Sequence, residues 1–409
     1  MQRWGIRVIA GVLGISLCVT ASACRGRGDQ QAARPSIKAV ATTGPSAHIN
    51  PSPTSPQPTV GTWRRLAPAP IDTPYIRASV WTGSEVLIFG RVMDLEDGAA
   101  TGRDFDVVAA YNPATDSWRS LPAGPGREGS FEGFNQTVWT GSKTLVWGIT
   151  NKSFDPATNR WRRLPAPAAG DGGPSVAVWT GRQMIGWGGG CCGGYDASGA
   201  AYTPATNSWE KLPPAPLAGR HASGAWTGKE LVILGGNDAD GKVFSDAAAY
   251  DPATRRWRRL PPLPEPRTGA TATWDGTEVL VIGGQGSLGA HPELYADGVA
   301  YNPSTNRWRR VPAMEFPRQG HVAVWTGGRL LVWGGRTELA GAPARPSHGE
   351  AYDPVSDRWS PLPRSPLRGR IGATAVWTRT TLIVWGGVSV GPDPVRLFAD
   401  GAAYTPGTE

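Results

Sequence analysis

Four arginines occupy one repeated place in the chain. Arg267, Arg318 and Arg370 each stand seven residues before Trp274, Trp325 and Trp377, and Arg220 stands six before Trp226. Guanidinium groups converging on one opening favour a carboxylate or phosphate through paired, charge-assisted hydrogen bonds, and a narrow channel would concentrate their field. His221 and His321 accompany the row. Imidazole exchanges a proton near neutral pH, so an enzyme built here would draw its general acid or base from these two. Arg77 and Arg127 are offset from the pattern, and the third copy has no such arginine. The ligand-binding candidates are therefore Arg220, His221, Arg267, Arg318, His321 and Arg370.

Other chemistry leaves little trace. There is no Gly-x-Ser-x-Gly, phosphate-binding loop or His-Glu-x-x-His, and Trp187-Gly-Gly-Gly190 punctuates a repeat without opening a helix. Asp297-Gly298 and Asp400-Gly401 each fall just before a repeated aromatic and read as turns. No catalytic residue is assigned, and no cofactor or metal is implied.

The elements that must position the arginines come from a repeat. Trp-Thr-Gly begins at Trp81, Trp139, Trp179, Trp226 and Trp325, with Trp-Asp-Gly at Trp274 and Trp-Thr-Arg at Trp377, and a Gly follows nine residues after each Trp, from Gly90 to Gly386. A second Trp stands seven residues after an aromatic, as in Tyr301/Trp308 and Phe154/Trp161. A period of roughly 50 residues without heptads indicates a repeat architecture. In the sixth copy we read four strands: His321 to Trp325, Leu330 to Trp333, a stretch ending near Tyr301, and Trp308 to Val311, with turn residues between them. Four-stranded antiparallel units repeated radially make a β-propeller. The chain ends after Tyr404 without the Trp due seven residues later, and Thr62-Trp63-Arg64-Arg65-Leu66 supplies it from the other end. The N-terminal strand is thus expected to close the last of seven blades and leave no orphan edge.

Strand alternation sorts the loops. The turns after the innermost strand and before the outermost one share a face and keep fixed spacings. On the other face the gaps from the spaced Gly to the next aromatic are 21, 6, 14, 15, 18, 18 and 18 residues. Unequal loops on a fixed frame are the usual place for binding, and the arginine row is expected on that side.

The double Gly after a hydrophobic strand, the Tyr-Asp-Pro-x-Thr-x-x-Trp run and the Leu-Pro after the Trp resemble kelch repeats from Trp63 to the C-terminus. Two departures are the Trp of the Trp-Thr-Gly turn and Gly148, which is followed by Ile149. The resemblance implies an all-β, seven-bladed kelch-type β-propeller. Kelch propellers that recognise acidic peptides present arginine at a similar channel mouth. Galactose oxidase shares this kind of propeller, but its copper site needs two His, two Tyr and a cross-linked Cys, and the only Cys residues here beyond position 60 are the adjacent Cys191 and Cys192. The bacterial sialic acid mutarotase or epimerase, another kelch relative, leaves a carbohydrate-active enzyme as the alternative to a binding module for an anionic, glycan or protein ligand.

Residues 1–23 read as an export signal: Arg3 and Arg7 precede the apolar run Val8 to Ala21, which is too short and wrongly flanked to span a membrane. Ala21-Ser22-Ala23-Cys24 resembles a bacterial lipobox with Ala where Leu is usual. Cys24 is expected to carry lipid and hold the protein on the outer side of a membrane, with free secretion as the alternative. Residues 24–60 hold Pro, Ser, Thr, Ala and Gln and almost no large apolar side chains, a composition that cannot offset the entropy of ordering, so they are expected to be a disordered tether before a propeller at 61–409. Of the formal charge of +8, the signal carries +2 and the tether a net +3, which leaves the propeller about +3 and argues against a nucleic-acid partner. With Cys18 in the signal and Cys24 acylated, Cys191 and Cys192 are expected to form a disulfide, as oxidised pairs persist outside the cytosol. Flanking Gly190 and Gly193 would let the backbone close so short a ring. A monomer is expected.

Overall fold

The structure, a computed structural model, describes residues 61–407 apart from positions 72–73, 93–94, 97–98, 101–104, 123, 125–135, 149–150, 168–172, 191–193, 289–291, 338–346 and 390–395. The export signal, the tether with Cys24, and the Cys191–Cys192 pair lie outside the described residues.

Among the described residues the regular elements are strands, and they form seven four-stranded antiparallel sheets with two small two-stranded additions. The first strands of blades 1 to 7 are Pro74–Trp81, Gln136–Trp139, Val176–Trp179, His221–Trp226, Thr271–Trp274, Val322–Trp325 and Thr374–Trp377. Each lies against the next, and the seventh lies against the first, so they form the inner ring. This is a seven-bladed β-propeller.

The strand reading of the sixth copy needs regrouping. Leu330–Trp333 belongs with Val322–Trp325 in blade 6, whereas Gly298–Asn302 and Arg307–Val311 complete blade 5 behind Thr271–Trp274 and Val279–Ile282. The sequence template straddles two blades because its most recognisable halves flank the link between blades. Ring closure is as expected: Gly61–Arg65 pairs antiparallel with Gly401–Pro406, with Trp63 opposite Tyr404.

Seven wedge-shaped cores lie between neighbouring blades. Leu280, Ile282, Ala300 and Val311 of blade 5 meet Leu330, Val332, Tyr352 and Trp359 of blade 6. Second strands such as Leu330–Trp333 are buried throughout, because both faces of a blade are covered. That explains their unbroken apolar runs, and a Leu or Val so buried contributes about 1.5–3 kcal/mol.

The outermost Trp of each blade latches it to the blade before. Its indole N–H donates to a backbone carbonyl just past the preceding blade's outermost strand: Trp161 to Pro122 at 2.8 Å, Trp209 to Pro165 at 2.8 Å, Trp257 to Pro213 at 3.0 Å, Trp308 to Pro261 at 2.8 Å and Trp359 to Pro312 at 2.8 Å. Trp63 donates to Pro363 and Trp118 to Ala67, so the series crosses the join between the chain ends without a break. The Trp and the Leu-Pro that follows it are two halves of one inter-blade hydrogen bond.

Candidate functional site

The face with unequal loops is built up by a second tier of pairing beyond the blades. His221 pairs with Asn237, Thr268 with Gln285, Gln319 with Arg336, and Ile371 with Val388, one pair in each of blades 4 to 7. The double Gly makes this possible. Both members have positive φ in blades 3 to 7, for example 55° at Gly235 and 92° at Gly236. A Cβ on Gly236 would also lie far inside contact distance of the His221 carbonyl. In blade 1, Arg91 replaces the second Gly and strand pairing continues beyond a register shift between Ile76 and Ala78, with Tyr75 opposite Arg91.

Each arginine of the row is folded into this tier. Arg220, Arg267, Arg318 and Arg370 are at most 1% exposed. Their backbone carbonyls accept from the second Gly of the preceding blade: Gly189 to Arg220, Gly236 to Arg267, Gly284 to Arg318 and Gly335 to Arg370. Their side chains turn back into their own blade. Arg220 meets Asp246; Arg267 reaches Asp297 and Glu265, both at 3.3 Å; Arg318 reaches Glu350 at 2.8 Å; and Arg370 reaches Asp400 at 2.7 Å. Arg267, Arg318 and Arg370 also donate to the carbonyl of the first Gly in their blade. In three blades the guanidinium lies on an aromatic ring two residues before its carboxylate, Phe244, Tyr295 or Phe398, at 3.8 to 4.6 Å.

The four arginines therefore hold equivalent places in blades 4 to 7, each side chain buried against a carboxylate of its own blade. An unpaired buried guanidinium would be costly, so burial came with a carboxylate, and each cation is spent on holding a loop. Asp297 and Asp400, read from sequence as turn residues, are two of these counter-ions. The signal that could have found them is the repeated aromatic-x-acid spacing of Phe244/Asp246, Tyr295/Asp297 and Phe398/Asp400.

The two histidines differ in setting, His221 being half-buried. His321 is buried, and its Nε2 shares a 3.0 Å hydrogen bond with Thr271 Oγ1 of the neighbouring blade. Burial, helped by the nearby Arg318 charge, lowers its pKa to about 3, and burial lowers that of His221 to about 4. At neutral pH both rings are uncharged and weakly basic.

On the opposite face a second set of charges went unread. The arginine after the outermost Trp bridges its own blade to the next: Arg258 binds Glu230 of blade 4 through two nitrogens and reaches Tyr301 Oη and Asn306 of blade 5. Arg309 does the same with Glu278, Tyr352 and Asp357, and Arg119 with Glu85 and Asn159. The Glu230 hydrogen bond raises the Arg258 pKa, overcoming the effect of burial. Between blades 3 and 4 the charges are exchanged, with Glu210 in the arginine position paired to Arg255 in the Asn position. Trp-Thr-Gly-x-Glu and Trp-Arg, written at fixed offsets, carried this signal in the sequence.

Among the described residues no group of three or more His, Cys, Asp and Glu is placed to hold a metal ion. A family profile described as the KLHDC2/KLHL20/DRC7 kelch-repeats domain matches residues 173–387. The chain belongs to the kelch-repeat family. Over 77 residues it is 35% identical to an F-box/kelch-repeat protein of Arabidopsis thaliana, covering 18% of this chain and 19% of that protein. Over 116 residues it is 32% identical to kelch-like protein 25 of Xenopus tropicalis, covering 27% of this chain and 19% of that one. The match thus spans less than a fifth of the length of either relative. Among solved structures, a fungal alcohol oxidase of the AA5 family in complex with copper is similar with a TM-score of 0.64 over 85% of this chain and 76% of that one. At 14% identity this likeness concerns the kelch propeller's fold and not its chemistry.

Proposed function

We propose that this kelch propeller is a binding module whose ligand rests on the face with unequal loops. One observation carries the reading: in each of blades 4 to 7 the loop is anchored by an arginine buried against a carboxylate of the same blade. Loops fixed before the ligand arrives lose little entropy on binding, which favours affinity. Because the guanidinium charge is neutralised internally, recognition falls to the loop tips. That supports a protein or glycan ligand over a small free anion. The carbohydrate-enzyme alternative would draw on His221 and His321, and the depressed pKa of both makes them poor proton carriers at neutral pH. The test is photo-crosslinking from Leu288, an exposed apolar side chain on the blade 5 loop, compared with Arg307 on an outermost strand, in an extract of the source organism and on a glycan array. A discrete adduct from position 288 and none from 307 is expected. Equal labelling, or none, would remove the loop face as the site.

The N-terminal sequence supports a location: the charged start, the short apolar run and Ala21-Ser22-Ala23-Cys24 fit an exported protein held outside a membrane through lipid on Cys24. Fatty-acid labelling that is lost in Cys24→Ala is the expected result, and persistence of label in that variant would refute the anchor.

A further inference from the structure

We propose a second binding site, on the face opposite the loops, that takes a lysine or arginine side chain of a partner polypeptide. A cavity of about 590 Å³ lies there between blades 5 and 6, lined by Asp275, Glu278, Arg309, Trp325, Val355 and Asp357 among others.

Two of these residues break the repeat, and they do so at the same place. Six blades begin their first turn with Trp-Thr, followed by Gly in five and by Arg379 in blade 7; in the five Trp-Thr-Gly blades the threonine hydroxyl accepts turn N–H groups, as Thr227 does from Glu230 at 2.9 Å. Blade 5 alone has Asp275, whose Oδ1 accepts from Thr277 and Glu278 at 2.7 Å each. The turn needs an acceptor and not a charge, so the added carboxylate is unexplained by folding. Likewise, the residue after Tyr-x-Pro is Ala114, Ala205, Ala253, Ser304 or Gly407 elsewhere, with Ala157 after Phe-Asp-Pro, but Val355 in blade 6. A valine 95% exposed to water gains nothing from folding, and β-branched residues are poor turn formers.

Chemistry decides the occupant. The lining carries three carboxylates against the single guanidinium of Arg309, which already spans Glu278 at 2.6 Å and Asp357 at 3.2 Å. The surplus negative charge sits beside an indole face and an aliphatic wall. A long stem ending in a cation fits both halves: the stem packs on Val355 while the head meets Asp275 and the Trp325 ring.

An arrayed library of nonapeptides with a fixed central Lys or Arg, followed by fluorescence anisotropy on the binders, tests this. Reversion to the sister residues, D275T/V355A, uses turns this chain already folds with Thr six times and with Ala four times, so loss of binding is not loss of fold. At least tenfold weaker binding is expected in that variant, and a comparable loss when the central residue of the peptide becomes norleucine. Unchanged affinity in either comparison, or no binder in the array, overturns the proposal. Leu288→Ala on the loop face should leave the affinity unaltered, which separates this site from the loop-face reading.

Discussion

The buried arginines test how a charge can be stabilising in a place where charge is expensive. Arg318 is fully buried against Glu350, itself 5% exposed, and burial raises the Glu350 pKa even though Arg318 opposes the shift. Removing one partner leaves the other uncompensated. Arg318→Ala should therefore cost about 3–5 kcal/mol in urea denaturation, while Arg65→Ala, which breaks a pair with Asp400 that is about half exposed on both sides, should cost under about 1 kcal/mol. Equal losses would mean that burial does not set the scale. His321 gives a pH signature. Its folded pKa, about 3, lies below the unfolded value near 6.5, so the unfolded chain takes the proton first. Its contribution is constant above pH 6.5 and is lost as pH falls toward 3, with a limiting slope of about 1.4 kcal/mol per pH unit. His321→Gln should flatten the stability profile between pH 6 and 4 relative to wild type, and parallel profiles would refute the assignment.

At the scale of the element, the second Gly of the pair is fixed by two independent demands: a positive φ and the close approach of the neighbouring strand. Gly236 meets both, since a Cβ would strike the His221 carbonyl and the residue also takes φ 92°. Gly241, in the hairpin tip of the same loop, has φ 85°, and only Leu288 Cδ1 at 3.8 Å would lie near its Cβ. Gly241→Ala should cost roughly 1–2 kcal/mol, the strain of the left-handed backbone alone. Gly236→Ala should cost distinctly more, because the backbone must also move, and comparison of the thermal midpoints would show it. The turn-face bridges belong to this scale as well. The exchanged pair Glu210–Arg255 is exposed, with side chains 53% and 50% accessible, so it helps set which blades meet more than how tightly they do so.

For the whole molecule the decisive feature is that all seven blades carry four strands, so that blade 7 does not stop at its third. Five residues, Gly61–Arg65, fill the outermost place of blade 7 and set Trp63 against Tyr404 and the Pro363 carbonyl. Removal of everything up to Arg65 should lower the urea midpoint and expose the Gly401–Pro406 strand as a template for another chain. Light scattering should then show concentration-dependent association, whereas removal up to Val60 should leave a monodisperse propeller. A monodisperse protein of unchanged midpoint after the longer deletion would refute the closure argument.

Blade number, ring closure and the division into a rigid and a variable face were legible in the chain, because each depends on local spacing: Trp to Gly, aromatic to Trp, and the missing Trp at one end found at the other. The repeat also located the arginine row correctly in sequence. What it could not fix was where those side chains point. That depended on carboxylates 26 to 32 residues away, brought close only when the second and third strands of each blade pair. The same reason hid the cavity between blades 5 and 6, since Asp275 and Val355 are 80 residues apart in the chain and meet only because neighbouring blades pack face to face. Periodicity decides which backbone forms, while the neighbour across the blade decides whether a charge serves the fold or remains for a ligand.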